Sequence, residues 1–503
     1  MNPGTLLIRA DATPEMGSGH VMRCLALAQG WREAGGNVVF AMALSTPAVN
    51  RRLAEENCRI VEMSVPAGSS DDIAATREVL RVELPSWVVL DGYHFDSAYR
   101  EAIGRAGVRC MIVDDNGGPG NFSAELVVNQ NVHADAALYP QQGRHTWLLL
   151  GPRYAMLRRE FADRAGSARK VPDVSRKLLV TMGGSDPNEF APRLLPSLIE
   201  GLDREVEIVV VVGGSASGSN AMKIKASSLP ARVRVMQDVR NMAELMVWAD
   251  LAIAAAGTTC WELCCMGLPS IVVEAAENQR LLARTLDTIG SAVNAGPVQD
   301  IDCDALAELT GKLLRDPLRR SELSHRAKKL VDGHGVRRVV TLMTAKLKTR
   351  AAEARDCRVL FEWANDPVVR AASFTPDPIP WESHQRWFEG QLGNAGARIF
   401  LFEGESGQPV GQVRYQIEGR RATLSVNVDP SLRGQGLGAK VLLLGVEEFF
   451  NTTSVDMIDA FVKPSNERSL MLFRTAGFEE KGVSQLRGQD AVWFVLQRWG
   501  TSK

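Results

Sequence analysis

Short apolar runs, each closing on a glycine or a polar residue and each followed by helix-spaced apolar residues, recur through most of this chain. That repetition admits few folds. Strands joined by crossover helices pair in parallel, and a parallel sheet buries both faces. The first set comprises 6–10, 37–42, 59–63, 87–91, 109–113 and 126–129, with helices expected over 21–34, 47–57 and 70–83. A second set begins at Lys177-Leu178-Leu179-Val180-Thr181 and continues through 207–212, 233–236, 251–255 and 269–274. The charged, small-residue stretch 164–176 between them reads as a linker. With 503 residues the chain exceeds what one core supports, so two or three domains are expected.

The first strand runs into Asp11-Ala12-Thr13-Pro14-Glu15-Met16-Gly17-Ser18-Gly19-His20, and a helix follows. A loop between a strand's carboxyl end and a helix's amino end is where open α/β sheets hold ligands. Gly17 and Gly19 allow close backbone approach, and the free amides of the helix start favour an anion. His20 falls on the first helical turn, where the dipole disfavours imidazolium and leaves a ring able to accept a proton. The plainer alternative is a helix cap and a tight turn. Met22 stands where a dinucleotide fingerprint needs its third glycine, which argues against NAD.

Several strands end in polar residues that a parallel sheet would gather on one edge: Asp91, Tyr93, Asp114, Asp115 and Asn129. In the second set, two glycine-rich turns suit a nucleotide diphosphate. Amides of Gly184, Ser185, Gly257, Thr258 and Thr259 are candidates for the phosphates, and Glu262 for the ribose hydroxyls. The alternative is structural turns in a Rossmann-like domain.

Residues 1–346 resemble nucleotide-sugar enzymes of the GT-B architecture, two facing Rossmann-like domains. Ala255-Ala256-Gly257-Thr258-Thr259-Cys260-Trp261-Glu262, with Gly267-Leu268-Pro269 and Asn278-Gln279, is similar to the UDP-binding segment of the transferase that completes lipid II. Arg9-Ala10-Asp11, Gly17-Ser18-Gly19-His20 and Arg23-Cys24-Leu25-Ala26-Leu27-Ala28 resemble the UDP-2,4-diacetamido-2,4,6-trideoxy-β-L-altropyranose hydrolases of pseudaminic acid biosynthesis. That resemblance implies inverting release of UDP by water, with His20 as catalytic base and no metal. Asp11 is expected to contact the sugar or orient His20, and Tyr93 to lean on the sugar.

The last third changes pattern. Two short helices near 361–370 and 380–388 precede strands at 398–403, 409–417 and 422–428, with a turn at Glu418-Gly419-Arg420-Arg421. Then Val428-Asp429-Pro430-Ser431-Leu432-Arg433-Gly434-Gln435-Gly436-Leu437-Gly438 opens a helix and exposes successive amides to a pyrophosphate. Asn466 leads a helix ending at Gly477-Phe478. Residues 347–498 resemble the GNAT N-acetyltransferases, which implies acetyl-CoA as cosubstrate. Its pyrophosphate would lie on Val428, Arg433, Gly434, Gln435, Gly436 and Gly438, and Asn466 would place the pantetheine arm or thiol. Phe473 occupies the place of a tyrosine that protonates the leaving thiolate in many of these enzymes. Glu362, His384 and Glu403 are candidate bases; His384 reads as a helix-surface residue, and Trp363, Trp381 and Trp387 as core. The stretch 332–356 is basic and helix-prone.

The expected class is therefore α/β: a GT-B-like Rossmann pair (1–163 and 164–346) followed by a GNAT α+β domain (347–503). A fused pair would acetylate a UDP-4-amino-4,6-dideoxy-sugar and then hydrolyse the diacetamido product. The alternative is a glycosyltransferase joined to a protein or polyamine acetyltransferase. A net charge of −1 gives no case for nucleic acid or anionic membrane, and no apolar run or leader suggests insertion. The eight scattered cysteines fit reduced thiols in a cytoplasmic protein, and the sequence leaves the oligomeric state open.

Overall fold

The structure is a computed structural model. It describes residues 2–14, 16–118, 120, 122–140, 146–184, 186, 189–213, 229–237 and 239–498. Two compact units, Met1–Val336 and Arg337–Lys503, divide the chain.

The first unit holds two parallel sheets. One comprises β1 (Thr5–Ala10), β2 (Asn37–Met42), β3 (Arg59–Glu62), β4 (Trp87–Asp91), β5 (Arg109–Val113), β6 (Leu126–Asn129) and β7 (Trp147–Leu150), ordered β3-β2-β1-β4-β5-β6-β7. The other comprises β8 (Lys177–Thr181), β9 (Glu207–Val212), β10 (Val233–Gln237), β11 (Leu251–Ala255), β12 (Ser270–Glu274) and β13 (Val293–Pro297), ordered β10-β9-β8-β11-β12-β13. Both reverse direction of winding once, between β1 and β4 and between β8 and β11. Crossover helices leave opposite faces there, so a crevice opens beyond the strand ends, and ligands of doubly wound sheets bind in it.

The central strands are apolar along their length because helices cover both faces; β4 is buried at every position. The Gly19–Glu33 helix is buried at ten positions, among them the polar His20, Arg23 and Gln29. Polar groups this deep need fixed partners. Leu157 and Phe161, beyond β7, pack into the core of the second sheet with Trp261, Cys265 and Val331. The connection between the sheets is thus anchored before the 164–176 stretch begins.

The second unit is a mixed sheet of β14 (Lys348–Ala351), β15 (Ala397–Glu403), β16 (Pro409–Glu418), β17 (Arg421–Val428), β18 (Met457–Val462), β19 (Glu479–Leu486) and β20 (Gln489–Gln497), ordered β14-β15-β16-β17-β18-β20-β19. The Leu437–Thr452 helix covers one face, with Phe449 stacked 3.8 Å from Tyr415. Helices Cys357–Asn365 and Trp381–Leu392 cover the other, where Leu360, Trp363 and Phe388 meet Ile399 and Leu401. The basic stretch 332–356 is only partly helical. Its end, Lys348–Ala351, pairs antiparallel with β15, since edge pairing overrides a local helical preference.

Candidate functional site

The loop after β1 closes by a bridge between Thr13 and Gly17, whose φ of 78° favours glycine, and the helix begins at Gly19. The loop thereby brings His20 onto the first turn of the helix. Asp91, the last residue of β4, lies fully buried across the crevice. Its Oδ1 is 2.6 Å from His20 Nδ1, while Arg23, one turn along the helix, donates from Nε to Oδ2 at 2.7 Å and from Nη2 to Oδ1 at 2.7 Å. Burial alone would raise the Asp91 carboxyl, yet the Arg23 guanidinium and His20 hold it well below the usual carboxylate range. A carboxylate can only accept, so Nδ1 carries a proton toward Asp91, and in the neutral ring Nε2 is then the acceptor.

A second carboxylate extends the set. Arg23 Nη1 donates to Asp115 Oδ1 at 2.8 Å, Asn131 Nδ2 to the same oxygen at 3.1 Å, and the Tyr93 hydroxyl to Asp115 Oδ2 at 3.0 Å. Burial raises Asp115 too, but Arg23 outweighs it and the carboxyl is lowered. Tyr93 meets His20 edge-on, ring centroids 4.7 Å apart, and is half exposed. Its oxygen accepts from Asn278 Nδ2 at 3.3 Å, which links the two sheets' loops.

Asp11 does not orient His20. Its Oδ1 accepts from the amides of Ala43 and Leu44, and the buried Oδ2 lies 2.7 Å from Arg9 and 3.0 Å from His94. Its carboxylate fastens the β2 loop to the β1 end. Asp91 holds the place expected of Asp11, because strand order sets β4 directly beside β1. Asp114 and Asn129 likewise staple loops: the Tyr139 hydroxyl donates to Asp114, and Asn129 donates to that hydroxyl.

The second sheet's turns face this head of helix. A Cβ on Gly184 would collide with Ser18 Oγ, and one on Gly19 would stand 3.4 Å from Thr258 Oγ1. Gly257 lies beside Gln279, whose Oε1 accepts from the Ala275 amide at 3.0 Å, and Thr259 beside Gly183. Ser185 lies outside the described residues. Glu262, on the first turn of the Thr259–Met266 helix, accepts from Arg158 Nη2 at 2.9 Å. Burial raises its carboxyl, which Arg158 opposes. Arg158 also lines a cleft with Ser18, Met22, Arg51, Arg52 and Arg240. Sequence reasoning missed Arg23 as the clamp on Asp91; its signal was an arginine one turn after the histidine. Arg158 had no comparable signal, since its partner is 104 residues away.

In the second unit, Gly434 and Gly436 have φ of 78° and 91°, and the helix starts at Leu437, so successive amides of the loop are presented at a helix head. Gly438 packs near Val428. Arg433 donates to Asp366 Oδ1 at 2.6 Å and to the Val428 carbonyl at 3.2 Å, while its Nη2 is buried without a partner. Gln435 Nε2 donates to the Ser431 carbonyl. β17 and β18 pair over only three residues, 421–423 with 457–459, and β17 runs on to Val428 beside the loop with no further pairing to β18. Asn466 caps the Glu467–Thr475 helix by accepting from the Ser469 amide.

His384 is not a surface residue. It is 3% exposed, ringed by Phe361, Trp381, Trp387 and Phe388, and burial lowers its pKa. Glu362 is ion-paired with Arg358 and Glu403 with Arg350. Phe473 packs against Phe478 and Phe494 in the interior. Trp363 is buried and donates to Asp429, while Trp381 and Trp387 are only partly buried.

With the geometry in hand, comparison with known proteins separates the same regions. Residues 178–336 match the glycosyltransferase family 28 C-terminal domain, and residues 346–479 match the acetyltransferase (GNAT) domain. The chain joins a glycosyltransferase-28-like domain to a GNAT domain. An uncharacterized protein of Methanocaldococcus jannaschii is 23% identical over 500 residues, covering 97% of this chain and 98% of that protein. The spore coat polysaccharide biosynthesis protein SpsG of Bacillus subtilis is 24% identical over 47% of this chain and 69% of its own length. The UDP-N-acetylglucosamine–N-acetylmuramyl-(pentapeptide) pyrophosphoryl-undecaprenol N-acetylglucosamine transferase of Mannheimia succiniciproducens is 29% identical over 31% of this chain and 43% of its own length. Among solved structures, aminoglycoside acetyltransferase AAC(6')-Ib in complex with coenzyme A matches 30% of this chain and 95% of its own, with 21% identity and a TM-score of 0.28. Among the described residues, no group of three or more His, Cys, Asp or Glu could hold a metal ion, and no helix is long and apolar enough to cross a membrane.

Proposed function

We propose that the first unit hydrolyses a UDP-sugar and that the second transfers an acetyl group from acetyl-CoA to an amine of such a sugar. The observation that carries the hydrolase reading is the His20–Asp91 pair, with its acceptor nitrogen left over, at the point where both crevices meet. His20 Nε2 takes a proton from water as the water oxygen bonds to the anomeric carbon. The bond from that carbon to the diphosphate oxygen breaks, its electron pair leaves with UDP, and the configuration inverts. Asp91 keeps the ring in the required tautomer and offsets the positive charge it acquires. Amides of Gly184, Gly257, Thr258 and Thr259 hold the diphosphate, Glu262 the ribose, and Tyr93, Asn278 and Gln279 the sugar side.

Acetyl-CoA fits the second unit: the loop 433–438 offers amides and an unpartnered Arg433 Nη2 for its pyrophosphate, and the open end of β17 admits an extended arm. The cosubstrate supplies the acetyl group. Asn466 and the Val428 backbone orient it, and the buried Phe473 provides no proton, so a thiolate leaves unassisted or takes its proton from water.

The substrates we propose are the 4-amine of a UDP-4-amino-4,6-dideoxy-sugar for acetylation, then UDP-2,4-diacetamido-2,4,6-trideoxy-β-L-altropyranose for hydrolysis. The similarity to a spore coat polysaccharide biosynthesis protein supports a sugar-modifying fusion, and the order of the two steps is part of the proposal. A sugar-transferring reading draws on the family 28 match. The cleft beside Ser18 speaks for it too, since Met22, Ala48, Val49 and Val239 line it together with Arg51, Arg52, Arg158 and Arg240, a basic and apolar surface of the kind a membrane-facing acceptor needs. Incubating the chain with the UDP-sugar in ¹⁸O-water, with no acceptor, tests the proposal. Equal amounts of UDP and singly labelled free sugar are expected; turnover only when an acceptor is added would make the unit a transferase.

A further inference from the structure

The charges around His20 do not balance while its ring is neutral. Two donors converge on one carboxylate oxygen: His20 Nδ1 lies 2.6 Å from Asp91 Oδ1 and Arg23 Nη2 lies 2.7 Å from it, and the two nitrogens are 3.1 Å apart. Asp91, fully buried, offsets a single positive charge, and Arg23 already supplies one. An imidazolium formed there would share that carboxylate with the guanidinium beside it, one anion between two cations. Asp115 relieves this. It accepts from the other arm of Arg23, Nη1, at 2.8 Å, and is itself held by Asn131 Nδ2 at 3.1 Å and the Tyr93 hydroxyl at 3.0 Å.

The other titratable groups around the set bring no spare cation. Cys24 donates from Sγ to Asp91 Oδ2 at 3.3 Å, and burial keeps its thiol protonated, as it does the Tyr93 hydroxyl. His133 lies on the turn that the Ala134 amide closes onto the Asn131 carbonyl, and burial favours its neutral ring. Asp114 is turned to the Tyr139 hydroxyl and the amides of Asn116 and Gly117. At the end of β1, Arg9 is paired with Asp11 and Asp72, and His94 with Asp11. Toward the second sheet, Arg158 is paired with Glu160 and Glu262. Asp91, Arg23 and Asp115 thus leave one negative charge over, and a proton on His20 cancels it.

We infer that Asp115 is a positioning residue for the proton: by taking up the charge of Arg23 it frees Asp91 for the imidazolium, so that the buried set becomes neutral as His20 accepts the proton of the attacking water. This rests on the hydrolase reading above. Asp115 acts through Arg23 and by its charge, without touching the sugar. Its contribution grows as the proton moves, so it lowers the barrier and adds little to ground-state binding.

The test measures the pH profile of UDP release by the full chain for wild type, Asp115→Asn, Asp115→Ala, Asp115→Glu and Tyr93→Phe. It also follows the His20 ring of the unliganded chain by proton NMR, its resonance identified by its loss in His20→Ala. Asp115→Asn and Asp115→Ala remove the charge with and without an acceptor left for Tyr93. Both should lower kcat at neutral pH by about 10- to 100-fold, with the KM for the UDP-sugar within about 3-fold of wild type. Both should move the acid limb of kcat/KM about one unit toward lower pH, because a proton on His20 is then less well compensated, and the ring should titrate lower by a similar amount. Asp115→Glu keeps the charge, and Tyr93→Phe removes a hydrogen bond to Asp115 but no charge; both should keep the wild-type limb and ring titration. An unmoved limb and ring in either charge-removing variant, shown to be folded by its melting curve, overturns the inference. A raised KM with unchanged kcat overturns it too, as does a limb displaced equally in all four variants, which would trace to a loosened loop. No UDP release by wild type, with the ring still shifted in Asp115→Asn, would instead remove the hydrolase reading and leave the charge balance standing.

Discussion

The two candidate sites are preorganised by opposite means. Around His20 the work falls to side chains: Asp91, Arg23, Asp115 and Tyr93 form a buried charged set brought together from β4, the first helix and the loop after β5. In the loop proposed for acetyl-CoA it falls to the backbone, where Gly434 and Gly436 in the left-handed region precede a helix head. A side-chain site fails when one member is removed, because its partners stay buried with uncompensated charge. A backbone site tolerates exchanges of most side chains and fails where a Cβ cannot be accommodated.

The sharpest way to break this contrast is His20→Ala, which should lower UDP release by about 10²- to 10⁴-fold while acetylation continues unchanged. Acetylation that falls in parallel would mean the units do not act separately. Asp91→Asn should cost nearly as much in UDP release, since the ring loses its enforced tautomer. It should also destabilise the first unit, by less than the about 3–5 kcal/mol of an uncompensated buried charge, because Arg23 loses one carboxylate and keeps Asp115. Its pH signature follows from the lowered Asp91 carboxyl. A group with a depressed folded pKa stabilises above its unfolded value, near 3.9, and loses that contribution as pH falls through the folded one. Acid unfolding of wild type should therefore steepen below about pH 4, and in Asp91→Asn that component should be absent from the melting temperatures.

On the backbone side, Gly436→Ala places a Cβ 3.0 Å from the Arg338 carbonyl oxygen at a φ of 91°. A rise of about 10-fold in the KM for acetyl-CoA is expected, with UDP release untouched. Tyr93→Phe removes one hydroxyl that donates to Asp115 and accepts from Asn278, and should cost UDP release less than about 10-fold. Smallest of all, Phe473→Tyr should not speed acetyl transfer. Its ring is 4% exposed and packed on Phe478 and Phe494, so an added hydroxyl meets hydrocarbon and costs about 1–3 kcal/mol of stability. A faster enzyme would show that the site reaches this ring after all.

Element order and the glycine-rich turns were legible because they are local. Apolar runs of strand length closing on glycine, helical spacing after them, and glycines where the chain must turn are all written within about twenty residues of one another. His384 shows the limit: a histidine on a short amphipathic helix reads as exposed, and only the Phe388, Trp387, Trp381 and Phe361 rings folded around it decide otherwise. Lys348–Ala351 shows another, since its strand exists only by pairing with β15, 49 or more residues later in the chain.

What the sequence alone determined, then, was where loops, helix heads and sheets would form, and hence which backbone amides would be offered to an anion. Tertiary structure decided the electrostatics. Asp11 directly follows β1 and Asp91 ends β4, and they look alike in one dimension, yet the fold sends Asp11 to two amides and Arg9, and Asp91 to His20 and Arg23. The reason is physical: hydrogen-bonded turns are fixed by neighbours in the chain, whereas a buried charge is fixed by whichever distant group can neutralise it.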